Sequence, residues 1–302
     1  MVNPMLLDPT FEMSDDVKLI LGSIKELLDS KWDTKKFRSV LEGNKELTEQ
    51  LWKDIIKLEI LPYISNSPLR DAVIINELIG SKLLPGIIAS SVVASRGIKS
   101  KDILDKLFSG EVKIAVSDSN YVPGADQADL ILIDNTIVKR KDAELKSFNS
   151  LDNSMKINEV KHNAGENVQV NNAEISILFA SQMLGHGQEV LNMAVKYSKE
   201  RIAFGKPIGS YQAIKHRVVN DAVDVELVRS IILEASDNIK YVWLAKELAN
   251  KKIPKVILSG IQVHGGIGFT DDMDIHLHLK RSLTLSKIYN GKVDISEFLQ
   301  SL

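Results

Sequence analysis

The sequence predicts a mainly α-helical protein of the α+β class, with one small β unit set between two helical stretches. Three observations carry this expectation. Apolar residues recur at helical spacing from Ser14 to about Leu107, short β-prone runs replace them between Gly110 and Asn172, and helical spacing returns from Ala173 onward.

In the first stretch Val17, Ile20, Leu21, Ile24, Leu27 and Leu28 fall on one helical face, and Ser14 followed by Asp15 and Asp16 makes a helix start. The uncharged run from Leu83 to Ser95 reads as a buried helix. At about 13 residues it is short of the roughly 20 that span a bilayer. In the middle, VKIAVS, ADLILI, NTIVK and MKINEV read as strands separated by the turn formers Pro123-Gly124, Asp134-Asn135 and Asp152-Asn153. The later helices are broken at Gly205-Lys206-Pro207 and at the glycines of His264-Gly265-Gly266-Ile267-Gly268. The expected division is a helical domain over residues 1–110, a β-domain over 111–172 and a helical bundle over 173–302.

Composition narrows the chemistry. With no cysteine, the chain has no disulfide, thiolate nucleophile, cysteine-held zinc or iron–sulfur cluster, so redox work would need a bound organic cofactor or a sulfur-free metal site. A net charge of -2 offers no general attraction to nucleic acid or an anionic membrane. The N-terminus lacks a basic n-region and a long apolar h-region, from which a cytoplasmic location is expected. His276 and His278, two apart on a predicted helix, diverge by about 200° and do not form a chelating pair, so no metal site is expected.

Two motifs carry most of the functional signal. The first is Tyr197-Ser-Lys-Glu-Arg201-Ile-Ala-Phe204-Gly205-Lys206-Pro207-Ile-Gly-Ser-Tyr211-Gln212. An arginine, a nearby aromatic and a Gly-x-Pro break present a planar cationic fork and a stacking face, which suits a dinucleotide. The alternative is an arginine paired with a carboxylate and a phenylalanine in the core. The second motif, Gln262-Val-His264-Gly265-Gly266-Ile267-Gly268-Phe269-Thr270, offers a side-chain amide and glycine-rich backbone that suit a phosphate or ribityl chain, or else a helix C-cap and turn. His264 and His216 read as packing or hydrogen-bonding residues.

Together with Ala180-Ser-Gln-Met-Leu-Gly185-His-Gly-Gln188 upstream, these motifs closely resemble the acyl-CoA dehydrogenase family. The resemblance is strong from Ala173 to Tyr289 and general in the N-terminal helices. It implies an N-terminal helical domain, a central β-domain reduced in this chain, and a C-terminal bundle, with FAD as cofactor and an acyl-CoA thioester as substrate. It further implies that Arg201 meets the FAD pyrophosphate, that Phe204 and Gln212 lie near its adenine end, and that Gln262, Gly265 and Gly266 meet a partner subunit's FAD. The partners it implies are a homo-oligomer or a hetero-oligomer with a second acyl-CoA dehydrogenase subunit, and electron-transfer flavoprotein as electron acceptor of an active enzyme. No nucleic acid or membrane partner is expected.

The sequence departs from the family in two places. The tryptophan-bearing strand of the full-length β-domain is absent: Trp32, Trp52 and Trp243 all lie outside the β unit. The glutamate base of one large branch is replaced by Asn290 in Ile288-Tyr289-Asn290-Gly291-Lys292, and an amide does not accept the α-proton. In another branch the base lies on an earlier helix, where this chain has Ile175 and Ser176. Glu174, one residue away, is the remaining candidate in this chain, or else an exposed first-turn acid favoured by the helix dipole. The segment Gly265 to Arg281 is similar to shorter subunits that assemble as heteromers, in which one subunit supplies the base. Two functions follow as expectations: a flavoprotein subunit with an impaired or partner-supplied base, or a structural subunit that has lost FAD and activity.

Overall fold

The computed structural model describes residues 13–290. Seven helices come first: α1 (Asp15–Lys31), α2 (Thr34–Leu41), α3 (Lys45–Lys57), α4 (Ile60–Asn66), α5 (Leu69–Ser81), α6 (Gly86–Gly97) and α7 (Lys101–Phe108). The Ser14 hydroxyl accepts from the Val17 amide, and Asp15 and Asp16 occupy the first turn, where the helix dipole favours acids. Val17, Ile24 and Leu28 are the buried stripe of α1. The run from Leu83 is helical only from Gly86. Pro85 lacks an amide hydrogen and sits just ahead of the first helical residue, and Leu83 before it has φ 49°, so the first part of the run is a tight connection. The helix itself is buried almost throughout, as its apolar composition predicts.

The middle region forms two small sheets. Strands β1 (Ile114–Ser117), β3 (Leu130–Ile133), β4 (Thr136–Lys139) and β7 (Glu166–Asn167) make one, in the order β1-β3-β4-β7, with β1 and β3 parallel. The other is β2 (Tyr121–Pro123), β6 (Ile157–His162) and β5 (Ala143–Phe148), in the order β2-β6-β5. Three of the four runs read as strands contain β1, β3 and β4, and the fourth overlaps the first four residues of β6. Asp134, at φ 52°, turns β3 into β4, a conformation that Asp tolerates better than most residues. Strand β5 has no apolar signature because it is an edge with mostly exposed side chains.

Helix α8 (Asn172–Glu200) is the axis of the C-terminal region, followed by the short hairpin β8 (Ile202–Ala203) and β9 (Lys206–Pro207), then α9 (Gln212–Asp237), α10 (Val242–His264) and α11 (Ile275–Leu285). Asn171 caps α8 by accepting from the Glu174 amide at 3.2 Å. The α5–α8 crossing is backbone on backbone: a Cβ on Gly185 would lie 2.0 Å from the Glu77 carbonyl oxygen, and one on Gly80 2.1 Å from that of Gln182. The glycines of the Ala180 to Gln188 segment therefore serve helix packing. One continuous apolar core joins all three regions, from Val17 through Ile131 to Ile288. The fold is mainly α with a small β unit.

Lys246 on α10 is fully buried and donates to the Leu285 carbonyl at the end of α11, at 2.6 Å. Burial lowers its pKa to about 7. Between about pH 7 and the ordinary lysine value the unfolded chain holds a proton that the folded chain lacks, so this group makes stability rise with pH by about 1.4 kcal/mol per unit. Lys246→Met is expected to remove that slope, measured as the difference between wild-type and variant urea midpoints from pH 7 to 9.5.

Candidate functional site: a motif surface and a filled cleft

The first motif begins where α8 ends. Arg201 is its C-cap residue, and the chain then makes a two-residue hairpin whose turn, Phe204-Gly205, has φ 51° and 81°. Positive φ at both turn positions matches the twist of a tight hairpin, and Gly205 adopts it freely. Phe204 does so at a cost, with its ring 97 % exposed. The core alternative for Phe204 is thereby excluded. The Arg201 guanidinium is also exposed, and among the described residues no carboxylate pairs with it. Gln212 opens α9 with its side chain exposed, and His216 one turn later is exposed too and packs on nothing in the core.

The second motif is brought beside the first by an aromatic stack. Tyr197, one turn before Arg201, lies on His264 with ring centroids 4.4 Å apart. His264 is buried, its Nδ1 lies 2.8 Å from the Gly260 carbonyl, and its Nε2 has no partner; burial lowers its pKa, which the carbonyl contact partly offsets. Gly265 ends α10 at φ 63°, so the helix C-cap reading holds for it. Gln262 and Gly266 are exposed on the same end of α10. Arg201, Phe204, Gln212, Gln262 and Gly266 thus form an outward-facing surface with no counterpart within the described residues. Further exposed apolar side chains are Val219, Val223 and Leu227, at successive four-residue steps along α9, and Phe269 beyond α10.

The two base positions lie elsewhere. Tyr289, at φ 49°, is buried with its hydroxyl unpartnered, its pKa raised by burial and then by Asp118 and Asp134. Its carbonyl accepts from Ser176 Oγ at 3.2 Å, and its ring lies 5.9 Å from that of Phe179. Asn290 follows, exposed, its Oδ1 accepting from Asn250 Nδ2 at 2.7 Å. Ile175 is packed on Gly97 of α6. Glu174 is turned toward the N-terminal helices, where its carboxylate accepts from Arg96 at 3.2 and 3.3 Å and from Lys99 at 3.1 Å. Arg96 is itself fixed, donating to the Ile64 and Ser65 carbonyls at 3.1 and 3.2 Å and to that of Ser67. The structure therefore does not bring Glu174 together with Tyr289 and Asn290. Its carboxylate is engaged by two cations.

Sequence reasoning gave no account of what fills the space beside Ile288, two residues before Asn290. Between α6, α8, β1 and α11 only about 10 Å³ remains open. Met155 occupies the wall against α6, so close that a Cβ on Gly86 would lie 2.0 Å from its sulfur. Asp152, read from sequence as a turn former, does turn the chain, and its side chain forms a buried ion pair with Arg281 of α11. Arg281 also donates to Ser154 Oγ at 2.7 Å and to the Leu84 carbonyl at 3.0 Å. His278, one turn before Arg281, is buried against His186 of α8, Nδ1 to Nδ1 at 3.1 Å, and neither joins a metal-ligating group among the described residues.

A three-part order of helices, small sheets and a bundle around a central helix, with a cationic hairpin at that helix's end, defines the acyl-CoA dehydrogenase type of fold. Residues 173–297 match the family model for the acyl-CoA dehydrogenase C-terminal domain. The acyl-CoA dehydrogenase IpdE2 of Mycolicibacterium smegmatis is 24% identical over 289 residues, 89% of this chain and 93% of that protein. An acyl-CoA dehydrogenase of Bacillus subtilis is 31% identical over a shorter span, 40% of this chain and 34% of its own. Among solved structures, a chain of the ChsE4-ChsE5 complex from Mycobacterium tuberculosis superposes with a TM-score of 0.79 at 16% identity, over 98% of this chain and 97% of that one. Butyryl-CoA dehydrogenase from Megasphaera elsdenii gives 0.74 at 16% identity, over 98% and 99%. At such identities the likeness is one of fold. No helix among the described residues is long and apolar enough to cross a membrane.

Proposed function

We propose that this chain is a subunit of an acyl-CoA dehydrogenase-type oligomer in which it presents one half of an FAD site to a neighbouring subunit, the proton-accepting carboxylate being the partner's. The observation that carries this is the unpaired Arg201 guanidinium beside the outward-held Phe204 ring. A fork of donors suits a pyrophosphate, and a strained, exposed aromatic suits a stacked base. Gln212, Gln262, Gly265 and Gly266 would complete the contact from the same face. The exposed apolar residues of α9 and Phe269 are of the kind that an interface covers.

In such an assembly the flavin supplies hydride acceptance during α,β-dehydrogenation of an acyl-CoA thioester. This chain's residues bind and orient, and Asn290 leaves it without a proton acceptor at the family's base position. Glu174, held by Arg96 and Lys99, is not assigned that role. Electron-transfer flavoprotein would reoxidise the assembly. The missing base favours a heteromer over a homomer, and a chain of the two-protein ChsE4-ChsE5 complex shares this fold.

The test is flavin retention. In the assembly recovered from the protein's own cells, Arg201→Ala is expected to weaken flavin binding about ten- to a hundredfold, equivalent to the roughly 1.5–3 kcal/mol of a charge-assisted contact. Arg201→Lys should restore part of it. Flavin content that is equal in wild type and Arg201→Ala after gel filtration would overturn the assignment, and an assembly with no flavin at all would favour the structural-subunit reading.

A further inference from the structure

The filled cleft has the dimensions of a closed site. Pockets for cofactors and other small ligands enclose about 300–1,000 Å³, whereas the space lined by Ile288, Phe179 and Met155 is about 10 Å³. What fills it comes from the connection between β5 and β6. Met155 from that connection is 3% exposed and seated on Gly86, the first residue of α6. Its seat is held at several points: Asp152 is paired with Arg281, Ser154 Oγ accepts from the same guanidinium, and Gln127 Nε2 donates to the Ser154 carbonyl at 2.9 Å. At the far end of the connection the Lys156 carbonyl accepts from the Gly124 amide at 2.8 Å. The wall at the end of β1 is equally engaged, Ser117 Oγ donating to the Tyr121 carbonyl at 3.0 Å, so it presents no free hydroxyl to a ring. The residues present therefore fit the phosphate end of FAD at the motif surface and do not fit its ring system in this chain's own cleft.

We propose that Met155, locked by the Asp152–Arg281 pair, is a built-in plug that seals this chain's own cleft against a flavin ring and an acyl chain, so that the chain meets a flavin only from outside, across an interface. This rests on the function proposed above and assigns the ring-holding half of the shared site to the partner. It also means that residue 290 is only part of what the chain lacks: a carboxylate restored there would still have no open cleft beside Ile288 to act in.

The experiment uses the full chain labelled on its methionine, leucine and isoleucine methyl groups, with the Met155 signal identified by its loss in Met155→Leu, which keeps the side-chain volume. Excess FAD, and separately butyryl-CoA, are expected to leave the Met155 methyl signal in place, and Asn290→Glu with both added is expected to show no bleaching of flavin absorbance. Met155→Ala should open a dry apolar void that takes up xenon, seen as shifts at Leu285 and Ile288, while wild type and Met155→Leu take up none. Movement of the Met155 signal on adding either ligand, bleaching by Asn290→Glu, or xenon uptake by the wild-type chain would overturn the plug. Arg201→Ala reports separately on the motif surface: a silent Met155 with flavin retention indifferent to Arg201 sinks the shared-site function alone, and a mobile Met155 with retention dependent on Arg201 sinks the plug alone.

Discussion

Replacing Arg281 by methionine is expected to lower the stability of the chain by about 3–5 kcal/mol, because it leaves the Asp152 carboxylate buried without its counter-charge. Ser154 Oγ and the Leu84 carbonyl lose a donor in the same step. The comparison that isolates the charge is the double variant Arg281→Met with Asp152→Leu. Apolar replacement of a whole buried pair is often neutral, so most of the loss should return. Urea unfolding at pH 7 measures both. A single variant as stable as wild type would mean that Asp152 finds water when the arginine is gone.

Acidification should act through the other buried polar pair. Two Nδ1 atoms at 3.1 Å require one imidazole to donate and the other to accept, so at least one ring is neutral, and burial disfavours charge on either. Burial pushes the pKa of His278 down to about 3 and that of His186 well below its ordinary value, with the neighbouring His278 and Arg281 charges adding to the effect on His186. The unfolded chain takes up protons at both histidines from about pH 6.5 downward, while the folded chain does not. Stability is therefore full above that pH and falls as pH drops, by up to about 1.4 kcal/mol per unit for each imidazole. Between pH 6 and 4.5 the loss should be on the order of 4 kcal/mol. His278→Gln is expected to roughly halve the slope, read from denaturant midpoints across that range, and an unchanged slope would assign acid sensitivity to other groups.

The parts of this molecule that were legible in its sequence are those whose signal is local. Helical spacing located α1 and the long C-terminal helices, the serine and acid pair at 14–16 marked the first helix start, and short β-prone runs between turn formers exposed β1, β3, β4 and β6. Edge strand β5 was missed because its side chains face solvent and owe nothing to apolar patterning. At the motif surface the residue types already named the ligand chemistry, and the structure added that Arg201 is unpaired and Phe204 is held outward. The cleft was not legible. Asp152 and Arg281 are 129 residues apart, and neither periodicity nor spacing relates a turn-forming aspartate to a distant helical arginine. Glu174 misled for a related reason: its place in the chain is one step from a base position, but Arg96 and Lys99, more than seventy residues earlier, decide where its carboxylate points.

The contact of Gly80 and Gly185 has a bearing on where this chain can be cut. Because α5 and α8 touch through their backbones, the inner face of α8 is shaped to another helix and carries little side-chain bulk of its own at the crossing. A polypeptide beginning near residue 173 would retain the region that matches the family model, yet expose a flat strip of main chain and the apolar flanks of Ile177, Leu178 and Leu184, all buried in the intact molecule. The segment that carries the family signature is in this sense not an autonomous folding unit. Its N-terminal helices are the second half of its core, and interchange of C-terminal regions between relatives should succeed only where the helix corresponding to α5 keeps a glycine at the crossing.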